Sequence, residues 1–171
     1  MNEIPLSGRV ASLHLHPIER GARLQTVESI NVESGKGIVG NPRYFERRNA
    51  DGELTKRQVS LMERELIDEH ATTLGLETIS PGEIRSNIET SGVNLISFIG
   101  RRVQIGEAIL FVYEARTGCA KMDAICNGLR DLTDGNRLGV LAQVERSGRI
   151  RVGDEICLVR ETVADYSPDT P

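Results

Sequence analysis

The sequence has no tryptophan and only three tyrosines and three phenylalanines, so aromatic residues make up 4% of its 171 positions. A surface that stacks bases needs more rings than this. Positive charge is also short: 21 Lys and Arg against 25 Asp and Glu leave a formal net charge of −4. An acidic chain lacks the broad basic face that displaces counterions from nucleic acid. Cysteine is scarce, and the odd set Cys119, Cys126 and Cys157 shows neither zinc-site nor thioredoxin-like spacing. A disulfide framework is therefore excluded, and a reducing cytoplasm is the default compartment. No stretch approaches the roughly 18 apolar residues of a membrane helix, and the start lacks the charged-then-apolar order of a signal peptide. Neither nucleic acid nor a membrane is an expected partner.

What remains is an ordinary globular composition, 39% hydrophobic and 27% charged, punctuated by 17 glycines. Residues 1–160 are expected to form one domain and 161–171 a loose tail. Arg9 to His16 reads as a strand with Leu13 and Leu15 on one side and His14 and His16 on the other, exposed. A metal held by His14-x-His16 lacks an evident third ligand. Val27 to Val32 is a second strand, and Gly35 to Asn41 is a glycine-rich loop without a P-loop or dinucleotide ending. Leu61 to Leu74 carries the clearest helical stripe (Met62, Leu66, Ile67, Leu74), with Ser60 and Glu63 as a capping box, His70 at the core boundary and Gly75 as the stop. Short apolar segments follow at Val93 to Ile99, Arg102 to Ile105 and Ala108 to Ala115. After a second helical stripe (Met122, Ile125, Cys126, Leu129, Leu132), they resume at Gly139 to Val144, Arg149 to Val152 and Glu155 to Val159. Such spacing predicts a mainly β fold with some α, a barrel or sandwich rather than a parallel α/β sheet.

Cys119 is the residue most suggestive of chemistry. It opens the second helical stripe inside Arg116-Thr117-Gly118-Cys119-Ala120-Lys121, where peptide N–H groups and flanking cations favour thiolate over thiol. The competing reading is a small buried hydrophobe, which the same pattern assigns to Cys126 and Cys157.

Taken in order, Gly37-Ile38-Val39-Gly40-Asn41, Arg57-Gln58-Val59-Ser60-Leu61, Pro81-Gly82-Glu83 with Asn87 and Gly92, Gly106-Glu107-Ala108, Cys119, and Leu138-Gly139-Val140 before Arg149 to Asp154 resemble the MOSC family. That family takes its name from the C-terminal domain of molybdenum cofactor sulfurases. The resemblance covers about residues 8 to 160. It implies a closed, barrel-like domain with a few peripheral helices and a pocket holding Cys119. It also implies binding of the molybdenum cofactor, a strongly anionic group with a phosphate and a dithiolene. Arg57 and Arg85, beside Asn87, are the first candidates to cradle that group, with Lys121 and Arg116 next, because guanidinium groups suit bidentate phosphate contacts. One departure stands out: the family usually has Gly-Asp where this chain has Gly40-Asn41, which removes a carboxylate and keeps a hydrogen-bonding side chain. The stretch from Asn41 to Lys56, with Arg43, Arg47, Arg48 and Asp51-Gly52, reads as an exposed excursion whose match to the family pattern is not fixed.

Three functions follow from the resemblance. In one, Cys119 ligates molybdenum and the site reduces N-hydroxylated small molecules with electrons from an external donor, since the chain shows no flavin, haem or iron–sulfur motif. In another, Cys119 carries sulfur as a persulfide received from a cysteine desulfurase, pyridoxal phosphate then belonging to that partner. The third is an anion- or cofactor-binding barrel that has lost the chemistry, which the missing carboxylate at position 41 would explain.

Overall fold

The computed structural model describes residues 7–118 and 121–160, with Lys121 by its backbone alone. Four strands come first: β1 (Ser7–Leu15), β2 (Gln25–Val27), β3 (Ser29–Glu33) and β4 (Gly37–Ile38). Then β5 (Val59–Glu63) leads directly into helix α1 (Arg64–Thr73), followed by β6 (Ile88–Ser91), a 3₁₀ turn (Leu95–Phe98), β7 (Arg101–Ile105) and β8 (Ala108–Ala115). Two short helices, α2 (Lys121–Ile125) and α3 (Leu129–Leu132), precede β9 (Val140–Arg146), β10 (Gly148–Arg151) and β11 (Glu155–Leu158).

Seven of these strands close on themselves. The hydrogen-bonded order β11-β7-β8-β9-β5-β6-β1 is completed by pairing of β1 with β11, where Gly8 faces Ile156. Closure leaves no free edge among the seven, and β2 extends β1 beyond the ring. A separate sheet, β10-β3-β4, contributes Ile30, Val32, Ile38 and Ile150 to the same core as the barrel strands. In that core Leu13, Ile38, Leu61, Ile88, Phe98, Leu110 and Ile156 are fully buried. A second cluster, built from Met62, Ile67, Ala71, Ile79, Ile84, Met122, Leu129 and Leu138, lies under the helices. The mainly β expectation and the barrel implied by the resemblance both hold.

Four local expectations are corrected. The helical stripe begins at Arg64 rather than Leu61, because Val59–Glu63 is a strand buried along its whole length between β9 and β6. The capping box does not form: Ser60 bonds to Asn87, and buried Glu63 accepts from the Leu95 amide at 2.9 Å. Val93 to Ile99 holds the 3₁₀ turn instead of a strand. Cys126, expected in the core, is half-buried at the edge of the second cluster. The expected loose tail at 161–171 lies outside the described residues.

Strand directions fix where side chains meet. Because β6 runs antiparallel to β1 and parallel to β5, the end of β1 and the entries to β5 and β6 fall at one end of the barrel. His16, Gln58 and Asn87 stand at those three places.

Candidate functional site: an arginine-lined cleft

At that end, His16, Tyr44, Arg57, Gln58, Val59, Ser60 and Asn87 line a cleft of about 180 Å³. Two asparagines organise its floor. Asn41, fully buried, accepts through Oδ1 from the His16 backbone amide at 2.7 Å and lies 3.2 Å from His16 Nδ1. Asn87 accepts through Oδ1 from the Ser60 amide and hydroxyl, both at 3.1 Å, and its own amide donates to Ser60 Oγ at 3.0 Å. Its Nδ2 donates to the His14 carbonyl at 3.1 Å and lies 3.4 Å from His16 Nδ1. Asn87 thereby ties β5, β6 and the end of β1 together, each contact satisfying a buried polar group. Gln58 does similar work, donating to the Gly35 and Thr55 carbonyls and accepting from the Val144 amide.

Above the floor the charge is of one sign. The Arg57, Arg43 and Arg47 guanidinium carbons lie 5.3, 5.7 and 5.8 Å from the centroid of the Tyr44 ring, within cation–π range. Tyr44 itself meets the His16 ring edge-on at 5.0 Å between centroids. Arg85, half-buried and at a positive φ of 66°, donates to the Ala22 carbonyl at 3.0 Å. None of Arg43, Arg47, Arg57 and Arg85 forms an ion pair among the described residues, whereas Arg64, Arg102 and Arg137 each pair with an acid elsewhere. Burial, then the Arg43 charge, draws the Arg85 guanidinium below its usual range. Burial chiefly, with lesser contributions from Arg85, Arg43 and Arg116 against the raising hydrogen bond to Asn41, pulls His16 down to about 4. His16 is thus a neutral imidazole at physiological pH.

Of the residues marked out by the sequence, Arg57, Asn87, Arg85 and Asn41 gather at or under this cleft. Arg116 is buried, donating to Ser86 Oγ at 2.9 Å and the Ile84 carbonyl at 3.1 Å, which anchors the segment leading into β6. Cys119 and the Lys121 side chain lie outside the described residues. The backbone leads toward Cys119 through Gly118, where a Cβ would stand 2.5 Å from Thr133 Oγ1.

The expectation that His14 and His16 are exposed is overturned, since both are buried. His14 sits beneath Gly82 and donates from Nδ1 to the Ser86 carbonyl at 3.0 Å, beside the buried Glu89–Arg64 pair. The two do not form a metal site: among the described residues, no three His, Cys, Asp or Glu side chains group to hold an ion. Sequence reasoning passed over Tyr44 and put Arg43 and Arg47 in an exposed excursion, which instead folds back over the cleft. The available signal was an aromatic residue set among arginines, Arg43-Tyr44-Phe45-Glu46-Arg47-Arg48.

The MOSC domain family matches residues 20–157, most of the chain. The chain belongs to the MOSC family. That family is associated with molybdenum cofactor binding. Among solved structures the chain is similar to the YuaD protein from Bacillus subtilis, at 21% identity and a TM-score of 0.70 over 88% of this chain and 94% of that one. It is also similar to YiiM from Escherichia coli (17%, TM-score 0.67, 92% and 72%) and from Geobacillus stearothermophilus (16%, 0.64, 94% and 79%). At these identities the likeness establishes the fold. No curated protein matches the chain. No helix among the described residues is long and apolar enough to cross a membrane.

Proposed function

We propose that this MOSC domain holds the molybdenum cofactor in the arginine-lined cleft and presents Cys119 as the thiolate ligand of molybdenum, reducing N-hydroxylated small molecules. The observation that carries the reading is the set of four arginines, without acidic partners among the described residues, gathered around a polar floor. Concentrated like charge is costly unless an anion neutralises it, and a phosphate-bearing, dithiolene-bearing group is such an anion.

The residues fit that group. Arg57, which lines the cleft, and Arg85, close to His16, offer guanidinium groups that suit phosphate oxygens, and Asn41 Nδ2 is buried beneath without a hydrogen-bond partner among the described residues. A soft thiolate suits a metal that accepts sulfur ligands. When bound, the molybdenum centre supplies the two-electron chemistry that the side chains lack. The chain's own part is to bind the anion and keep a neutral His16 at the wall, the electrons coming from an external donor.

Sulfur carriage by Cys119 needs the thiol alone and leaves the partnerless arginines without a task, so it ranks second. Protein made in a host that synthesises the cofactor should contain molybdenum, and Cys119→Ser should lose most of it. Background molybdenum in the wild type would contradict the proposal. If the Cys119 peptide of such metal-free protein gained one sulfur after incubation with a desulfurase and cysteine, sulfur carriage would replace it.

A further inference from the structure

With one exception, the polar side chains around the cleft only donate, are already engaged with neighbours, or, like the Tyr44 hydroxyl, can turn to donate. Arg43, Arg57 and Arg85 only donate. Asn87 Nδ2 donates as well, because its Oδ1 is taken by Ser60. The Gln58 amide is spent on backbone groups. His16 is the exception, and its tautomer follows from its neighbours. The Asn41 amide is oriented by the His16 backbone N–H, a donor that only Oδ1 can accept. Oδ1 therefore faces Nδ1 at 3.2 Å, and Nδ1 must carry the proton to bond it. The competing contact, Asn87 Nδ2 to Nδ1, is longer at 3.4 Å, and Nδ2 already serves the His14 carbonyl. Electrostatics agree, since a lone pair facing guanidinium groups is favoured over another N–H. Nε2 is then the acceptor. It makes no hydrogen bond among the described residues and reaches solvent through the cleft that His16 lines.

We propose that His16 Nε2, held in one tautomer by Asn41, is the hydrogen-bond acceptor of the cleft, so that the site selects anions that also carry an O–H or N–H donor. The arginines take the negative charge, and Nε2 takes the donor. A dianion without a donor would leave Nε2 desolvated and unpaired against a repelling oxygen, a mismatch that sites of this kind reject strongly. The inference deepens the anion-site reading above and rests on it.

Monohydrogen phosphate and sulfate make the probe pair. At about pH 8 both are tetrahedral dianions, and only phosphate carries an O–H. Calorimetric titration of the full chain, free of cofactor, should show phosphate binding about tenfold or more tighter than sulfate. His16→Phe, which keeps a ring beside Tyr44, should bring the ratio close to one. Asn41→Asp keeps the geometry and stabilises imidazolium, so the pH below which phosphate loses its advantage should rise. The other groups facing His16 across that range are Arg43 and Tyr44 after β4, Arg57 before β5, Arg85 before β6 and Arg116 after β8. Nitrogen-15 NMR of the same protein should show the Nδ1–H tautomer at His16, independently of binding. Equal affinities, sulfate preference, binding of neither anion, or an Nε2–H tautomer would each overturn the inference. Molybdenum content is a separate readout: its absence removes the cofactor reading and leaves the phosphate-to-sulfate ratio intact, and the converse also holds.

Discussion

His16 meets three arginine charges inside a buried site, and both burial and those charges oppose its protonation. The hydrogen bond to Asn41 acts the other way and loses. The folded pKa, about 4, lies below the unfolded value of 6.5, so the unfolded chain binds the extra proton as pH falls. This contribution to stability is complete above about pH 6.5 and disappears as pH drops through 4, an effect on the order of 3 kcal/mol. Urea unfolding at neutral pH and near pH 4.5 checks it. The wild type should lose stability across that interval by clearly more than His16→Phe, and equal losses would show that His16 titrates normally. At this scale the sequence was partly legible. Arg57, Arg85, Asn87 and Asn41 emerged from family-like motifs and do gather at the cleft. His16 did not, because alternation along β1 assumes one wet face. Here the opposite face is covered by the Pro81–Glu83 turn and the excursion after β4, which bury His14 and His16 alike.

Among the elements, the junctions matter more than the strands. Gly139, at φ 78°, ties the start of β9 to the end of β8 through its carbonyl, which accepts from the Arg116 amide at 3.0 Å. A Cβ there would stand 2.0 Å from the Leu61 carbonyl oxygen, a backbone atom with nowhere to go. Gly139→Ala should cost roughly 3 kcal/mol or more, from strain at positive φ added to overpacking. Thermal unfolding measures it, and a near-neutral effect would mean that β5 and β9 are not held this close. Gly118→Ala should be milder, about 1–3 kcal/mol, because Thr133 Oγ1 belongs to a side chain that can turn away. Most strands were legible from short apolar runs between glycines. The start of α1 was not. Leu61 and Met62 fit a helical stripe and a buried strand equally well, and only the pairing of β5 with β9 and β6 decides between them.

Over the whole molecule, charge is distributed unevenly. The chain is acidic overall, yet four arginines without an ion pair among the described residues, Arg43, Arg47, Arg57 and Arg85, collect at one end of the barrel, brought from the end of β4, the entry to β5 and the entry to β6. Barrel closure through β1 and β11 joins segments about 150 residues apart, and no local periodicity encodes such a contact. Only the ordered motifs pointed to it. The same long-range assembly gives scattered arginines a common field, which is the basis for reading the cleft as an anion site. The measurement that tests this most directly is molybdenum per chain, by elemental analysis, in wild type and in the Arg57→Gln/Arg85→Gln double variant produced in a cofactor-making host. The account predicts close to stoichiometric metal in the wild type and a loss of about tenfold or more in a double variant that still folds. Wild type at background, or a double variant that loads as fully as the wild type, would contradict it.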